Sequence, residues 1–263
     1  MSRPEQVRRS ASKAAAGGRR NFFIACLVIA LAAIASGLWR EANNPRFEVQ
    51  VGQMSGLVHE SQDEVLAAAA LAPKQNAWLI DRRAVERRVE SLPWVSRASV
   101  TVSWPNVVSI DVVERSPVAR VELVAADLAG TPPAFAVIDE ACQVLAVTTD
   151  PGEWASLPAL VVSPPLDGSA QPGQRLDAGG VPQALDALHE LRGLGLAVSA
   201  VSVAPATGIG ATADRNLRVL FGDDDDLARK VSLFLAIAAK ISTPERIAYV
   251  DVRSIRAPTV LYR

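Results

Sequence analysis

The 263-residue chain has room for one large domain or two small ones, and its formal net charge of −1 (27 Lys+Arg against 28 Asp+Glu) hides an asymmetry. Residues 1–20 carry six basic side chains and one acid, a net of +5, which leaves −6 on the remainder, and residues 21–39 hold no charged side chain. This pattern argues against a simple soluble cytosolic enzyme and against a nucleic-acid binder with a folded basic patch.

The uncharged segment NFFIACLVIALAAIASGLW would span about 28 Å as a helix, close to the roughly 30 Å hydrocarbon core of a bilayer. Arg19 and Arg20 bound it on one side and Arg40 on the other, and Trp39 suits an interface position. The length predicts a membrane anchor over residues 21–39. A cleaved signal peptide is the alternative, because residues 22–32 make an h-region of suitable length and Ala33-Ile34-Ala35 fits a small-x-small cleavage site. Both readings export the remainder of the chain. The positive-inside bias puts the tail, residues 1–20, in the cytoplasm and residues 40–263 outside. Cys26 falls in the span and Cys142 is alone in the exported part, so no disulfide joins two exported positions. Two histidines, His59 and His189, cannot build a multi-His metal site.

Asn43-Asn44-Pro45 discourages helix continuation. Residues 46–51 alternate, with Phe47, Val49 and Val51 on one face, and predict a half-buried strand. Ser61-Gln62-Asp63-Glu64 reads as a capping box opening an Ala-rich helix to about Ala72, before Pro73. Asp81 is placed to cap a second helix, on which Val85, Val89 and Leu92 recur at helical spacing. Arg82, Arg83, Arg87 and Arg88 lie on its other face and read as solvated. After Pro93, Ala98, Val100, Val102 and Trp104 alternate with polar residues as an amphipathic strand. Pro105-Asn106 turns the chain into a second alternation at Val108, Ile110 and Val112. The order strand, helix, helix, strand, strand is a complete small α+β domain, two helices covering one face of a mixed sheet.

Short strands are predicted next at Ala119–Val124, 135–138 and 144–147, then a Pro/Gly/Asp-rich loop over 163–180. Residues 182–194 read as a helix with Leu185, Leu188 and Leu191 along one side. Strands at 198–203 and 216–221, a helix at 227–241 and closing strands at 247–252 and Thr259–Tyr262 complete the pattern. Residues 204–214 read as an Ala/Gly-rich loop.

Several strings in this pattern resemble the FtsQ/DivIB cell-division family: Leu92-Pro93-Trp94-Val95, Ala98-Ser99-Val100, Trp104-Pro105-Asn106 and the run from Ile110-Asp111-Val112-Val113-Glu114-Arg115 through Ser116-Pro117-Val118-Ala119. Ile138-Asp139 suits that family's next strand, and Arg246-Ile247-Ala248-Tyr249-Val250-Asp251-Val252-Arg253 resembles its C-terminal signature. The family usually has a glycine at the hairpin after Ile138-Asp139, where Glu140-Ala141-Cys142 stands here. The resemblance implies an α+β architecture: one transmembrane helix, a POTRA domain over residues 46–116 and a mixed β-rich domain over 117–263. It implies a non-enzymatic scaffold at the division septum of the inner membrane, binding FtsB-like and FtsL-like partners, with an FtsK-like contact through the POTRA domain. No cofactor and no small-molecule substrate are expected. A POTRA-type chaperone of exported polypeptides is the alternative, and would favour several POTRA units or a barrel.

Pro93 stops a helix, and Trp94 is expected to fill the space between the helix and sheet layers. Glu114 and Arg115 read as a surface pair worth under about 1 kcal/mol, with an interdomain role as the alternative. A terminal strand at Thr259–Tyr262 is expected at a sheet edge, where its free N–H and C=O groups could be extended by another chain. The partner-binding residues expected there are Arg229, Tyr249, Arg253, Val260 and Tyr262: the family has an aromatic at the Tyr262 position, and Arg253 could hold an acidic partner side chain. The alternative is a closing strand that only completes the fold. Gly222-Asp223-Asp224-Asp225-Asp226 lacks the spacing of a calcium loop and reads as the cap of the following helix. Gly208-Ile209-Gly210-Ala211-Thr212-Ala213 imitates a dinucleotide fingerprint but precedes a strand where a helix is required. No G-x-S-x-G elbow or P-loop is present, and neither histidine stands in a catalytic motif.

Overall fold

A computed structural model describes residues 22, 24–41, 44–124, 134–150, 152–167, 170–177 and 179–263. The basic tail expected in the cytoplasm lies outside the described residues. Helix α1, Ile24–Glu41, is 18 residues long, apolar enough to cross a membrane, and buries nothing against the rest of the protein.

The chain enters its first folded unit almost at once. The Asn44 N–H donates to Glu41 O at 3.1 Å, and the Asn44 side chain accepts from the Arg46 N–H at 3.0 Å, capping a 3-10 turn over Pro45–Phe47. The strand expected over 46–51 therefore starts later, as β1 (Gln50–Ser55). Pro45 presets the turn dihedral, and the Asn44 cap holds it against the apolar alternation that suggested a strand. Helix α2 (Gln62–Ala69) opens with the expected capping box: the Glu64 N–H donates to Ser61 Oγ at 3.2 Å, and the Ser61 N–H to Glu64 Oε2 at 2.9 Å. It ends at a left-handed Ala70 (φ 46), short of the predicted Ala72, so Pro73 is not what stops it.

Asp81 caps α3 (Arg82–Val89) by accepting from the Ala84 N–H at 3.1 Å. Arg82, Arg83, Arg87 and Arg88 are exposed as expected, and Arg88 also makes a structural contact. Its guanidinium donates to Ala69 O (3.1 Å from Nε, 2.6 Å from Nη2), satisfying a carbonyl left open at the end of α2. Strands β2 (Val95–Ser103) and β3 (Val107–Glu114) pair antiparallel, and β1 lies parallel to β3, giving the order β1-β3-β2. Val65, Ala69, Val85 and Val89 of the helices meet Val100, Val108, Ile110 and Val112 of the sheet in a closed core.

The second unit is one sheet in the order β13-β12-β11-β10-β9-β7-β4-β5-β6, with the two-residue β8 beside β4. Its strands are β4 (Ala119–Val124), β5 (Ala134–Ile138), β6 (Val144–Thr148), β7 (Ala159–Val162), β8 (Leu166–Asp167), β9 (Val198–Ala204), β10 (Gly208–Ala213), β11 (Leu217–Gly222), β12 (Ile247–Asp251) and β13 (Thr259–Tyr262). Helices α4 (Val181–Gly193) and α5 (Leu227–Ala238) cover one face, burying Leu185, Leu188, Leu191, Val231 and Phe234 against Leu160, Val201, Val219 and Phe221. β10 corrects the loop expected over 204–214. Its glycines and alanines give no apolar alternation, yet the segment pairs on both sides with β9 and β11. Gly208 makes this possible: its φ is +69°, and a Cβ there would lie 2.1 Å from Gly222 O. A strand at the imitation fingerprint also removes any phosphate-binding helix turn from it.

Candidate functional site

Two places combine chemistry with exposure: the seam between the two units and the β13 edge of the large sheet.

The seam is built from chain segments that leave regular structure. Glu114 ends β3 with its side chain nearly buried. Its carboxylate accepts from the N–H groups of Val58 (2.8 Å), His59 (3.0 Å) and Glu60 (3.1 Å), and lies 2.9 Å from His59 Nδ1. Burial pushes this carboxyl up, but the backbone donors of Val58 and Glu60 and the His59 contacts outweigh it, so it titrates below the usual carboxylate range. His59 thus has a carboxylate partner that the sequence did not reveal. Its ring stacks on Trp94 at 3.9 Å, 8° from parallel. Trp94 corrects the interlayer role expected of it: partly buried, it stacks on His59 and faces Trp154 of the second unit at 6.2 Å. Glu60 lies close by and is held above its ordinary value, chiefly by burial.

Arg115 crosses the seam. Its Nη1 donates to Asp139 Oδ2 at 2.8 Å and its Nε to Val95 O at 3.1 Å, while its backbone N–H donates to Trp94 O at 2.7 Å. Glu114 and Arg115 are therefore not a surface pair: Arg115 takes the interdomain role through Asp139, whereas Glu114 binds residues 58–60 within the first unit. Asp139 Oδ1 also accepts from the N–H groups of Ala141 (2.9 Å) and Gln143 (2.8 Å), which fixes the hairpin between β5 and β6. Cys142 stands in that hairpin with φ +58°, the conformation a glycine would take freely. Its thiol is buried, and burial raises its pKa.

At the other end of the sheet, β13 pairs antiparallel with β12, placing Ile247 opposite Tyr262, Tyr249 opposite Leu261, Val250 opposite Val260 and Asp251 opposite Thr259. Among the described residues no strand pairs with its outer side. The Arg263 N–H donates to Arg246 O at 2.8 Å, so alternation along the strand turns the N–H and C=O of Tyr262 and Val260 toward the open edge. Val260 packs against the core, whereas Tyr262 is 65 % exposed. Val260 and Tyr262 thus share one face of the edge strand, whereas Tyr249, opposite Leu261 on the neighbouring strand, belongs to the other face.

The two arginines sit differently. Arg253 follows β12 and grips Asp251 through Nε (3.0 Å) and Nη2 (2.6 Å), and its stem lies over Gly222. The Arg253 hydrogen bonds, with burial opposing, hold the Asp251 carboxyl low. Its guanidinium is thus already engaged by an acid of this chain. Arg229 lies on the first turn of α5, exposed and 3.4 Å from Asp226. The acidic run does not cap α5 as expected. Asp226 adopts a left-handed φ of 56° without a side-chain cap bond, and Asp223 pairs instead with Lys230, a lysine almost wholly buried. Among the described residues no group of three or more His, Cys, Asp or Glu gathers as a metal centre.

Residues 53–115 match the family model described as a POTRA domain, FtsQ-type. The chain is similar to curated relatives named cell division protein FtsQ. One from Myxococcus fulvus is 42 % identical over 80 residues, covering 30 % of this chain and 28 % of the relative. One from Mycolicibacterium smegmatis is 33 % identical over 127 residues, covering 43 % and 38 %. One from Chloroflexus aurantiacus is 25 % identical over 219 residues, covering 83 % and 75 %. The first two matches thus span well under half the length of those relatives. Together with the strand–helix–helix–strand–strand unit and the apolar helix before it, they support membership of the FtsQ/DivIB family.

Proposed function

We propose that this chain is a membrane-anchored, non-catalytic scaffold of the cell-division machinery, its POTRA unit and β unit lying outside the cytoplasmic membrane at the septum. An FtsB-like segment, held beside an FtsL-like one, adds a strand to β13. Backbone hydrogen bonds to Val260 and Tyr262 supply affinity, and the exposed Tyr262 ring supplies part of the specificity. The observation that carries this reading is the open outer side of β13 beside an exposed tyrosine. Arg229 and Arg253 contribute at its margin, Arg253 through the Asp251 pair rather than as a free cation. An FtsK-like protein meets the POTRA unit. Anchoring in one membrane plane raises the effective concentration of anchored partners, so individually weak contacts suffice.

Depletion in cells tests the division role. Filaments with blocked septa are the expected result. Export defects in normally dividing cells would instead favour chaperoning of exported polypeptides, and accumulation of an envelope substrate would favour catalysis.

A further inference from the structure

The proposed partner edge lies in the β unit. The POTRA unit has a different exposed feature, at the end where the chain leaves α1. Three segments converge there: residues 44–50, 75–79 and 104–107. The Val49 N–H donates to Gln75 O at 2.9 Å, the Gln50 N–H donates to Asn106 O at 3.0 Å, and the Trp78 indole N–H donates to Pro105 O at 2.9 Å. On this end Trp78 is 52 % exposed, Leu79 68 % and Trp104 66 %. The Arg46 guanidinium lies over the Trp104 ring, 4.7 Å from its centroid.

Two more cations reach the same end. Glu90 Oε1 accepts from the Ala98 N–H at 3.1 Å and Glu86 Oε1 from the Val100 N–H at 3.0 Å, so α3 runs antiparallel to β2. One further turn toward its start brings the exposed Arg82, with Arg83 beside it, level with about residue 102, next to the turn at residues 104–107. Glu41 and Glu48 belong to the entering segment, and Asp81 is committed to its helix cap.

We infer that this tip, through Trp78, Leu79, Trp104, Arg46, Arg82 and Arg83, rests in the headgroup layer of the bilayer that α1 spans, on anionic phospholipid. Two features favour lipid over a protein partner. The tip is held close to the end of α1: the last residue of α1, Glu41, is hydrogen-bonded to Asn44, which caps the turn carrying Arg46. Its composition also matches the place, since indole rings prefer the water–hydrocarbon interface and arginines above them meet lipid phosphates. Docking then fixes the tilt of the POTRA unit on the membrane, and with it the height of whatever the seam holds. This inference rests on α1 being a membrane anchor.

The five tryptophans allow both statements to be read separately. The full chain is reconstituted in phosphatidylcholine/phosphatidylglycerol vesicles whose acyl chains are brominated near the headgroups, and tryptophan emission is recorded. In Trp39→Phe, which leaves the POTRA unit untouched, quenching is expected to persist. It is expected to disappear when Trp78→Phe and Trp104→Phe are added, and to weaken when phosphatidylglycerol is omitted. Loss of all quenching in Trp39→Phe alone would overturn the docked tip while keeping the anchor. Residual quenching that survives removal of Trp78 and Trp104 would also overturn it. No quenching in the unaltered chain would remove the anchor and the docked tip together.

Discussion

Arg115 Nη1 and Asp139 Oδ2 stand 2.8 Å apart with both side chains largely shielded from water, joining the last POTRA strand to the first hairpin of the β sheet. Asp139 also holds two backbone N–H groups of that hairpin, so one carboxylate serves both the local turn and the seam. Arg115→Met keeps the stem but leaves the carboxylate without its cation. It is expected to destabilise the β unit by about 1–3 kcal/mol and to loosen the seam. Denaturant unfolding followed by Trp94 and Trp154 emission measures the first effect, and small-angle scattering of the extramembrane part measures the second. Unchanged unfolding with an unchanged scattering profile contradicts the assignment.

Glu114 and Glu60 meet in space, the Glu60 N–H donating to the Glu114 carboxylate at 3.1 Å, and their carboxyls shift in opposite directions. A depressed carboxyl stabilises the fold fully above its ordinary unfolded value, and this contribution is lost as pH falls through the lower folded value. Glu114→Gln is therefore expected to cost about 1–3 kcal/mol at pH 7, with the difference from the unaltered protein shrinking in acid. A raised carboxyl does the reverse: its ionised form opposes folding above the raised value, and the opposition vanishes below the ordinary one. Glu60→Gln, which can still accept from the Trp94 N–H, is expected to gain a fraction of a kcal/mol at pH 7 and nothing in acid. Thermal melts from pH 3 to 8 separate the two.

Cys142 combines a buried thiol with a left-handed backbone. Cys142→Gly gains backbone ease and loses a small buried group, so its net change should stay within about 1 kcal/mol. Cys142→Val places a β-branched side chain at φ +58° and should cost roughly 1–3 kcal/mol. The native thiol should react with a disulfide reagent only as the domain opens, since burial both shields it and disfavours the thiolate. Labelling rates that ignore denaturant would contradict this.

The POTRA topology was legible because its residues obey simple periods. Val85 and Val89 at helical spacing and Ala98, Val100, Val108, Ile110 and Val112 at alternate positions are the same residues that form the core. Ser61 and Asp81 announced their helices by capping chemistry that the fold uses. β10 was illegible because a strand of Gly208, Gly210, Ala211 and Ala213 is specified by its neighbours' backbones and not by its own side chains. The seam was illegible for a related reason. Glu114 and His59 are 55 residues apart, and no local pattern tells that one carboxylate will collect three N–H groups. At the terminal edge, the strand and its place at the sheet edge were legible from its position in the chain; the exposure of Tyr262, which shares a face with the core-packed Val260, was not. Nor was the commitment of Arg253 to Asp251, two residues away.

The proposed function turns on whether β13 accepts a partner strand along its outer side. Co-expression of the full chain with FtsB-like and FtsL-like partners, solubilisation of membranes and affinity capture tests it most directly. Two variants accompany the unaltered chain: Val260→Pro, which removes one outward N–H, and Tyr262→Glu, which puts a charge where an exposed ring stands. Circular dichroism of each variant verifies that the sheet is intact. The unaltered chain is expected to retain the partners, and each folded variant to lose them by at least about tenfold, roughly 1.4 kcal/mol. Equal recovery of the partners by the unaltered chain and both folded variants would contradict the proposed function.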